Sequence, residues 1–142
     1  MCGISGVIGD ASADARAAVG RMNRALAHRG PDGEGLTSGT SYVFGHRRLA
    51  IVDLSEQGAQ PMVYGGRYTI TYNGEIYNYL ELRKELTAAG YRFESKTDTE
   101  VLMAAYDRWG VECLGRLNGM WAFVLHDAQT GRFFISRDRF GV

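Results

Sequence analysis

The stretch that decides the fold is MWAFVLHDAQTGRFFISR, residues 120–137. Two apolar runs, 120–126 and 132–137, are rich in aromatic and β-branched side chains. The five residues between them are small or polar and end in Gly131. A connection of this length between two such runs is typical of a β-hairpin. The sequence therefore predicts an antiparallel pair of strands at 120–126 and 132–137.

Upstream of this hairpin, strands and helices are predicted in groups. We expect strands at 3–8, 41–44, 49–52, 67–72 and 91–95, and helices at 13–28, 78–88, from 98 onward and around 111–117. Thr97 and Glu100 have the spacing of a capping box, which marks the start of the helix after 97. Turns are predicted at 28–33 and a polar loop at 53–66. Since strands and helices do not alternate strictly, the pattern favours an α+β fold with helices covering antiparallel sheets.

Length, composition and charge describe one ordinary domain. The chain has 142 residues, of which 45% are hydrophobic, and 16 basic residues balance 16 acidic ones. A formal net charge of zero gives no indication of binding to nucleic acid or to a membrane surface. No apolar run reaches the length that spans a bilayer. The two cysteines, Cys2 and Cys113, do not suggest a disulfide framework, and a reducing cytoplasm is the expected compartment.

Cys2 is the most informative single residue. Removal of Met1, which is expected before a small residue, would make Cys2 the N-terminus and place a thiol and an amine on one residue. A free α-amine has a pKa of roughly 7.7–8.0, so part of it is neutral near pH 7 and can accept the thiol proton. The alternative interpretation is a small buried side chain at the start of a strand.

Asn73-Gly74 follows the strand predicted at 67–72. An Asn side-chain NH₂ and the next backbone N–H can form an oxyanion hole, and Gly lets the backbone approach a substrate closely. The alternative is a type I′ hairpin turn, for which Asn-Gly is the usual sequence.

Arg48, Asp98 and Glu75 could together hold an amino acid. Arg matches a carboxylate with a planar fork, and a carboxylate such as Asp98 or Glu75 matches an ammonium group. Taken singly, Arg47-Arg48 could be a solvated pair, and Asp98 could be the N-cap or a first-turn acid of a helix.

Several site types are set aside. His28, His46 and His126 lack the spacing of metal ligands, so no metal site is predicted. No glycine-rich phosphate-binding loop occurs. Cys113 lies among apolar positions and is assigned to the core.

Taken together, these segments resemble the class II glutamine amidotransferase domain, an N-terminal-nucleophile hydrolase. The resemblance runs through nearly the whole chain in segments with a specific order: MCGI at 1–4, HRGPDG at 28–33, GHRRLAIVD at 45–53, QPM at 60–62, YNGEIYN at 72–78, TDTE at 97–100, LNGM at 117–120 and RDRFG at 137–141. The sequences of these segments are similar to those of the asparagine synthetase branch. The sugar-phosphate branch would usually have Tyr in place of Pro31 and a Thr-Arg-Trp segment near Arg48.

The resemblance implies a four-layer αββα sandwich and a role for each residue. Cys2 would attack the side-chain amide of L-glutamine, release ammonia and form a glutamyl thioester, with its own α-amine as base. Asn73 and the N–H of Gly74 would form the oxyanion hole. Arg48 would bind the α-carboxylate and Asp98 and Glu75 the α-ammonium, while the backbone near Val52 would shape the pocket. The loop 53–66 would close over bound glutamine.

The resemblance also implies that further strands and a second domain follow in family members, and it implies partners for this domain. Family members continue with further strands and an ATP-using synthetase domain, so residues 1–142 are expected to be a partial amidotransferase domain, incomplete at its C-terminal end. No cofactor is expected in this domain, whereas ATP and Mg are implied for the synthetase domain. The expected partners are L-glutamine and a synthetase domain or subunit. A homodimer is also possible. The leading hypothesis is ammonia supply for asparagine synthesis from aspartate. The alternatives are another ammonia acceptor, or an inactive binding module.

Overall fold

The computed structural model describes residues 1–51 and 53–142, and within them the chain forms seven strands and three α-helices. In chain order these elements are β1 (Gly3–Ile8), α1 (Ala13–Ala25), β2 (Gly33–Ser38), β3 (Tyr42–Arg48), β4 (Met62–Tyr64), β5 (Tyr68–Ile76), α2 (Tyr79–Ala88), α3 (Asp98–Trp109), β6 (Gly119–Asp127) and β7 (Arg132–Arg137). Short 3₁₀ helices occur at Ala27–Arg29, Glu56–Gly58 and Gly110–Arg116.

The first sheet, sheet A, is antiparallel and has the strand order β1-β3-β2. Gly3 pairs with Arg47 on β3, and Gly33 pairs with Arg48 from the other side. Helix α1 covers this sheet, with Val19 packed in a small apolar cluster with Val43. The helix begins after Ser12, whose hydroxyl accepts a hydrogen bond from the Ala15 N–H at 3.2 Å.

The second sheet, sheet B, has the order β4-β5-β6-β7 and is also antiparallel. The β6–β7 pair is the predicted hairpin, and β5 pairs with β6 along its whole length, from Tyr68 opposite Asp127 to Ile76 opposite Gly119. Helices α2 and α3 cover the other face of this sheet and share the main apolar core with it. Thr97 caps α3 by accepting from the Glu100 N–H at 3.2 Å, as predicted.

The two sheets face each other between the helix layers. Even-numbered side chains of β3, such as buried Phe44 and His46, point toward sheet B, because the odd-numbered Val43 packs on α1 and successive side chains of a strand alternate between its faces. Odd-numbered side chains of β5 point back, and the Thr71 hydroxyl donates to the Gly45 carbonyl at 3.0 Å. The fold is therefore α+β in four layers, αββα, as predicted. No helix in the described part of the chain has both the length and the apolar character needed to cross a membrane.

Two strand predictions were wrong. Residues 49–51 do not form a strand, because β3 ends at Arg48, where the pairing with β1 and β2 also ends. Val52, the last residue of that prediction, lies outside the described residues. Residues 91–95 are irregular, because the Glu100 carboxylate takes the backbone N–H groups of Glu94 and Ser95 that a strand would use.

Other element boundaries also differ from the prediction. The helix expected at 13–28 ends at Ala25, and Ala27 and His28 lie in the 3₁₀ helix Ala27–Arg29. Strand β2, with two glycines in six residues, was not predicted. The loop expected at 53–66 contains β4 and a 3₁₀ turn. Asn73-Gly74 is not a hairpin turn: β5 runs on to Ile76, because β6 offers a partner for every residue.

Candidate functional site

Six of the seven predicted site residues line one cleft. The cleft has a volume of about 180 Å³ and lies where the end of sheet A meets β5 and the start of α3. These six residues come from distant parts of the sequence: Cys2, Arg48, Asn73, Gly74, Glu75 and Asp98. The seventh, Val52, lies outside the described residues. Met1 and residues 49–51, which belong to no helix or strand, also line the cleft.

Cys2 is held at the mouth of the cleft by backbone contacts. Its sulfur accepts a hydrogen bond from the Leu49 N–H at 3.3 Å and lies 3.6 Å from the Leu49 carbonyl oxygen, to which the thiol can donate. The Arg29 Nε donates to the Cys2 carbonyl oxygen at 3.0 Å. These contacts explain why residue 49 leaves the strand, and they fix the thiol close to the wall formed by β5.

The edge of β5 beyond β4 presents backbone groups to the cleft. β4 pairs only with Tyr68–Ile70, so the edge from Tyr72 to Ile76 is not covered by a strand. The Tyr72 N–H donates to Gln60 Oε1 at 2.7 Å, and the Ile76 N–H donates to Asp98 Oδ2 at 2.9 Å. Alternation along a strand places the Gly74 N–H on the same edge, between these two occupied donors. It therefore faces the cleft.

Asn73 and Glu75 project from β5 toward sheet A, because odd-numbered side chains of this strand face that way. Within the described part of the chain, the buried Asn73 Oδ1 has no hydrogen-bond partner. Gly74 is required between them, since a Cβ at this position would overlap the Met120 carbonyl oxygen and the Tyr72 ring. The Asn73 side chain and the Gly74 N–H thus stand side by side at the cleft wall.

Arg48 bridges β3 and the loop after it. Its guanidinium donates to the Ser55 carbonyl at 2.9 Å and to the Asp53 carbonyl, and a Cβ on Gly58 would collide with it. The Asp53 carboxylate accepts a hydrogen bond from the Lys96 N–H at 3.0 Å. The pKa of Asp53 is lowered to about 2, mainly by the hydrogen bond from the Ser55 hydroxyl and to a smaller extent by that from Lys96. A ligand carboxylate would give Arg48 a charged partner in place of neutral carbonyls, which is a stronger contact.

Asp98 lies in the first turn of α3 and is only 6% exposed. Its Oδ2 accepts from the Tyr72 hydroxyl at 2.7 Å as well as from the Ile76 N–H. Burial raises the pKa of the Asp98 carboxyl, although these hydrogen bonds oppose the rise. A bound ammonium group would stabilise the ionised form. Asp98 is therefore more than a first-turn acid of α3, because its carboxylate accepts hydrogen bonds from two residues of β5.

Several cleft residues were given no chemical role in the sequence analysis, among them His46, Gln60 and Tyr72. Gln60 connects β5 to α3, since its Oε1 accepts from Tyr72 and its Nε2 lies 3.4 Å from the Thr99 hydroxyl. Burial, followed by the charge of Asp98, raises the pKa of Tyr72, so its hydroxyl remains a donor. The only sequence signal for Gln60 was the QPM segment at 60–62, which supported the family resemblance but indicated no chemical role for this residue.

Cys113 provides a contrast to Cys2. It is fully buried in the core beneath α3, and burial raises the pKa of its thiol to about 11. It is a core residue, as predicted. Among residues 1–51 and 53–142, no group of three or more His, Cys, Asp or Glu side chains is arranged to hold a metal ion.

Known proteins resemble this chain over its full length. A putative glutamine-hydrolysing asparagine synthetase of Methanocaldococcus jannaschii is 42% identical over 161 residues, and asparagine synthetase 3 of Bacillus subtilis is 44% identical over 147. Asparagine synthetase B of Escherichia coli is 38% identical over 146. All of this chain is matched, but only 31%, 24% and 26% of these relatives. The chain thus spans about a quarter to a third of their length.

The fold has a solved counterpart, and the family model agrees with it. Glutamine phosphoribosylpyrophosphate amidotransferase of B. subtilis superposes with a TM-score of 0.78 at 21% identity, covering 97% of this chain and 37% of that one. At this identity the likeness shows the fold alone. The family model described as "Glutamine amidotransferase domain" matches residues 1–142. The chain therefore belongs to the glutamine amidotransferase domain family.

Proposed function

We propose that this domain hydrolyses L-glutamine with Cys2 as the nucleophile. The observation that carries the proposal is the convergence on one cleft of a thiol, an Asn side chain, the strand-edge N–H of Gly74, an arginine and two carboxylates. With Met1 removed, the α-amine of Cys2 takes the thiol proton. The sulfur then bonds to the amide carbon, and the amide nitrogen leaves as ammonia with that proton. Water hydrolyses the thioester to glutamate and frees the thiol.

The remaining cleft residues have complementary roles in this proposal. The Asn73 NH₂ and the Gly74 N–H donate to the oxyanion of the tetrahedral intermediate, where charge develops. Arg48 binds the α-carboxylate, and Asp98 and Glu75 bind the α-ammonium. The backbone at Val52 is assigned to the same pocket only because of the resemblance to the family. The α-carboxylate and the α-ammonium of glutamine thus each meet side chains of opposite charge in the cleft.

The ammonia is proposed to serve an ATP-dependent amidation. The relatives are named as glutamine-hydrolysing asparagine synthetases, which supports aspartate as the acceptor. ATP and Mg²⁺ are assigned to a synthetase domain or subunit that works with residues 1–142. We propose a cytoplasmic location, since Cys2 must stay a free thiol, the state that it has in the structure.

Product analysis with several amides tests this proposal. The protein should release glutamate and ammonia in equal amounts from L-glutamine, and far less from asparagine, whose shorter side chain would not reach Cys2 from Arg48. Equal rates with both amides would contradict the assignment of the pocket.

Arg48→Lys should weaken glutamine binding. Lysine keeps the charge but loses the fork that engages two acceptors at once. We expect KM to rise by about tenfold or more, the factor that corresponds to about 1.4 kcal/mol, with a smaller change in kcat. Arg47→Lys is the matched control, because Arg47 points away from the cleft and pairs with Glu34 at 2.9 Å. Steady-state kinetics of both variants measure the difference; an equal rise in KM would remove Arg48 from the substrate site.

Asn73→Ala should reduce kcat by roughly 10²–10³-fold with a smaller effect on KM, because an oxyanion donor acts mainly in the transition state. Asn118→Ala, at an exposed position outside the cleft, is the control. Glutamine turnover under saturating and limiting substrate separates the two parameters. If only KM changed, Asn73 would be a ground-state contact and the oxyanion role would be wrong.

A further inference from the structure

His46 lies on β3 two residues before Arg48, in the space between the two sheets. Its side chain is only 1% exposed and reaches the wall of the cleft. The ring Nε2 is 3.1 Å from the Tyr72 carbonyl oxygen on β5. A carbonyl oxygen only accepts, so Nε2 carries the hydrogen and donates it.

This hydrogen bond joins the two halves of the cleft at a specific place. Tyr72 is the residue directly before Asn73-Gly74, and Arg48 follows His46 on the same face of β3. A second cross-sheet bond, from the Thr71 hydroxyl to the Gly45 carbonyl at 3.0 Å, involves the preceding residue of each strand. The pair of bonds sets the separation of the Asn73-Gly74 wall from Arg48 and Cys2.

The surroundings of His46 suit a neutral ring. Within the described part of the chain, its buried Nδ1 has no hydrogen-bond partner. A proton on Nδ1 would place a buried charge without a partner near the Arg48 guanidinium, and burial lowers the pKa of His46 from 6.5 to about 4. The ring is thus a fixed donor and not a base at neutral pH.

We propose that His46 is a positioning residue for glutamine hydrolysis: its Nε2–H fixes the Tyr72 carbonyl and thereby holds the Asn73-Gly74 oxyanion donors at the correct distance from Cys2. This inference rests on the proposed function. It assigns a kinetic role to a histidine that contacts neither the reacting atoms nor the substrate.

A series of His46 variants separates positioning from packing. Gln places an amide N–H close to the position of Nε2, whereas Asn is one methylene shorter and Leu has no donor. His46→Leu and His46→Asn should lose on the order of 10²-fold in kcat, the scale of a misplacement of about 1 Å. His46→Gln should recover most of that loss. KM should change less, because Arg48, Asp98 and Glu75 remain.

His126→Leu is the matched control. His126 is also a buried imidazole between the sheets, and its Nδ1 has no hydrogen-bond partner among residues 1–51 and 53–142, but it packs on Tyr42 and Phe133 and does not line the cleft. It should lower the melting temperature without lowering kcat. Turnover is measured at a temperature where every variant compared is folded by circular dichroism.

Ring ¹⁵N NMR of the wild-type protein supplies a readout that does not depend on the variants. His46 should appear as the neutral Nε2–H tautomer near pH 7. A protonated Nδ1, a wild-type kcat in folded His46→Asn, or His46→Gln as slow as His46→Asn would overturn the inference while leaving the proposed function intact. If the wild type and Cys2→Ala are equally inactive on glutamine, the proposed function fails and this inference fails with it.

Discussion

Cys2→Ala should abolish the release of glutamate from glutamine, with a loss on the order of 10⁶-fold, the scale seen when the nucleophile of a covalent hydrolase is removed. In the proposed mechanism the thioester forms on the sulfur of Cys2, which lines the cleft and accepts a hydrogen bond from the Leu49 N–H. The substitution removes one atom from a half-buried position, so the fold should be unaffected. Glutamate release and thermal unfolding of the same preparation measure both expectations.

Cys113→Ala is the control for this variant. Cys113 lies in the apolar core, and burial raises the pKa of its thiol, so it is neither accessible nor ionised. Its replacement leaves a small cavity and should lower the melting temperature while kcat stays close to the wild-type value. Loss of turnover in a folded Cys113→Ala protein, or retained turnover in Cys2→Ala, would reverse the assignment of the two thiols.

An N-terminal residue in front of Cys2 should also abolish activity. A peptide bond at the Cys2 nitrogen removes the only base proposed for the thiol proton. Met1 itself lines the cleft, so an extra residue also occupies space that the substrate needs. Both effects act on the same step, and we expect turnover below detection.

A protease site placed directly before Cys2 turns this expectation into a comparison within one molecule. The extended protein should be inactive, and cleavage that exposes Cys2 should restore turnover in proportion to the fraction cleaved, as measured by intact mass. The control is an extended Cys2→Ala protein, which should stay inactive after cleavage. Equal turnover before and after cleavage would show that the α-amine is not the base.

The sequence predicted those elements whose signal is local. The hairpin at 120–137 depends on two apolar runs and one turn, and the start of α3 depends on Thr97 and the residues that follow it. Strand β2 could not be predicted in this way, because its sequence GEGLTS is poor in strand-forming residues and its stability comes from pairing with β3. The strand expected at 49–52 is likewise absent at residues 49–51, where the Leu49 N–H donates to the sulfur of Cys2, 47 residues away.

The same distinction holds for the site. Cys2, Arg48, Asn73, Gly74, Glu75 and Asp98 have chemistry that can be named from residue type and family resemblance, and all six line the cleft. His46 and Gln60 contribute through hydrogen bonds to the backbone of Tyr72, and no spacing in the sequence encodes such contacts. The continuation of β5 through Asn73-Gly74 also depends on β6, which is more than 40 residues later in the chain.

The most direct test of the central claim is a search for the glutamyl thioester. Wild-type protein mixed with L-glutamine and quenched in acid should carry one glutamyl group, and peptide mass spectrometry should place it on the sulfur of Cys2 with a free α-amine. His46→Asn and Asn73→Ala should accumulate it more slowly. A protein that releases glutamate without an adduct at Cys2 in any rapid-quench time point, or with the adduct on another residue, would contradict the account.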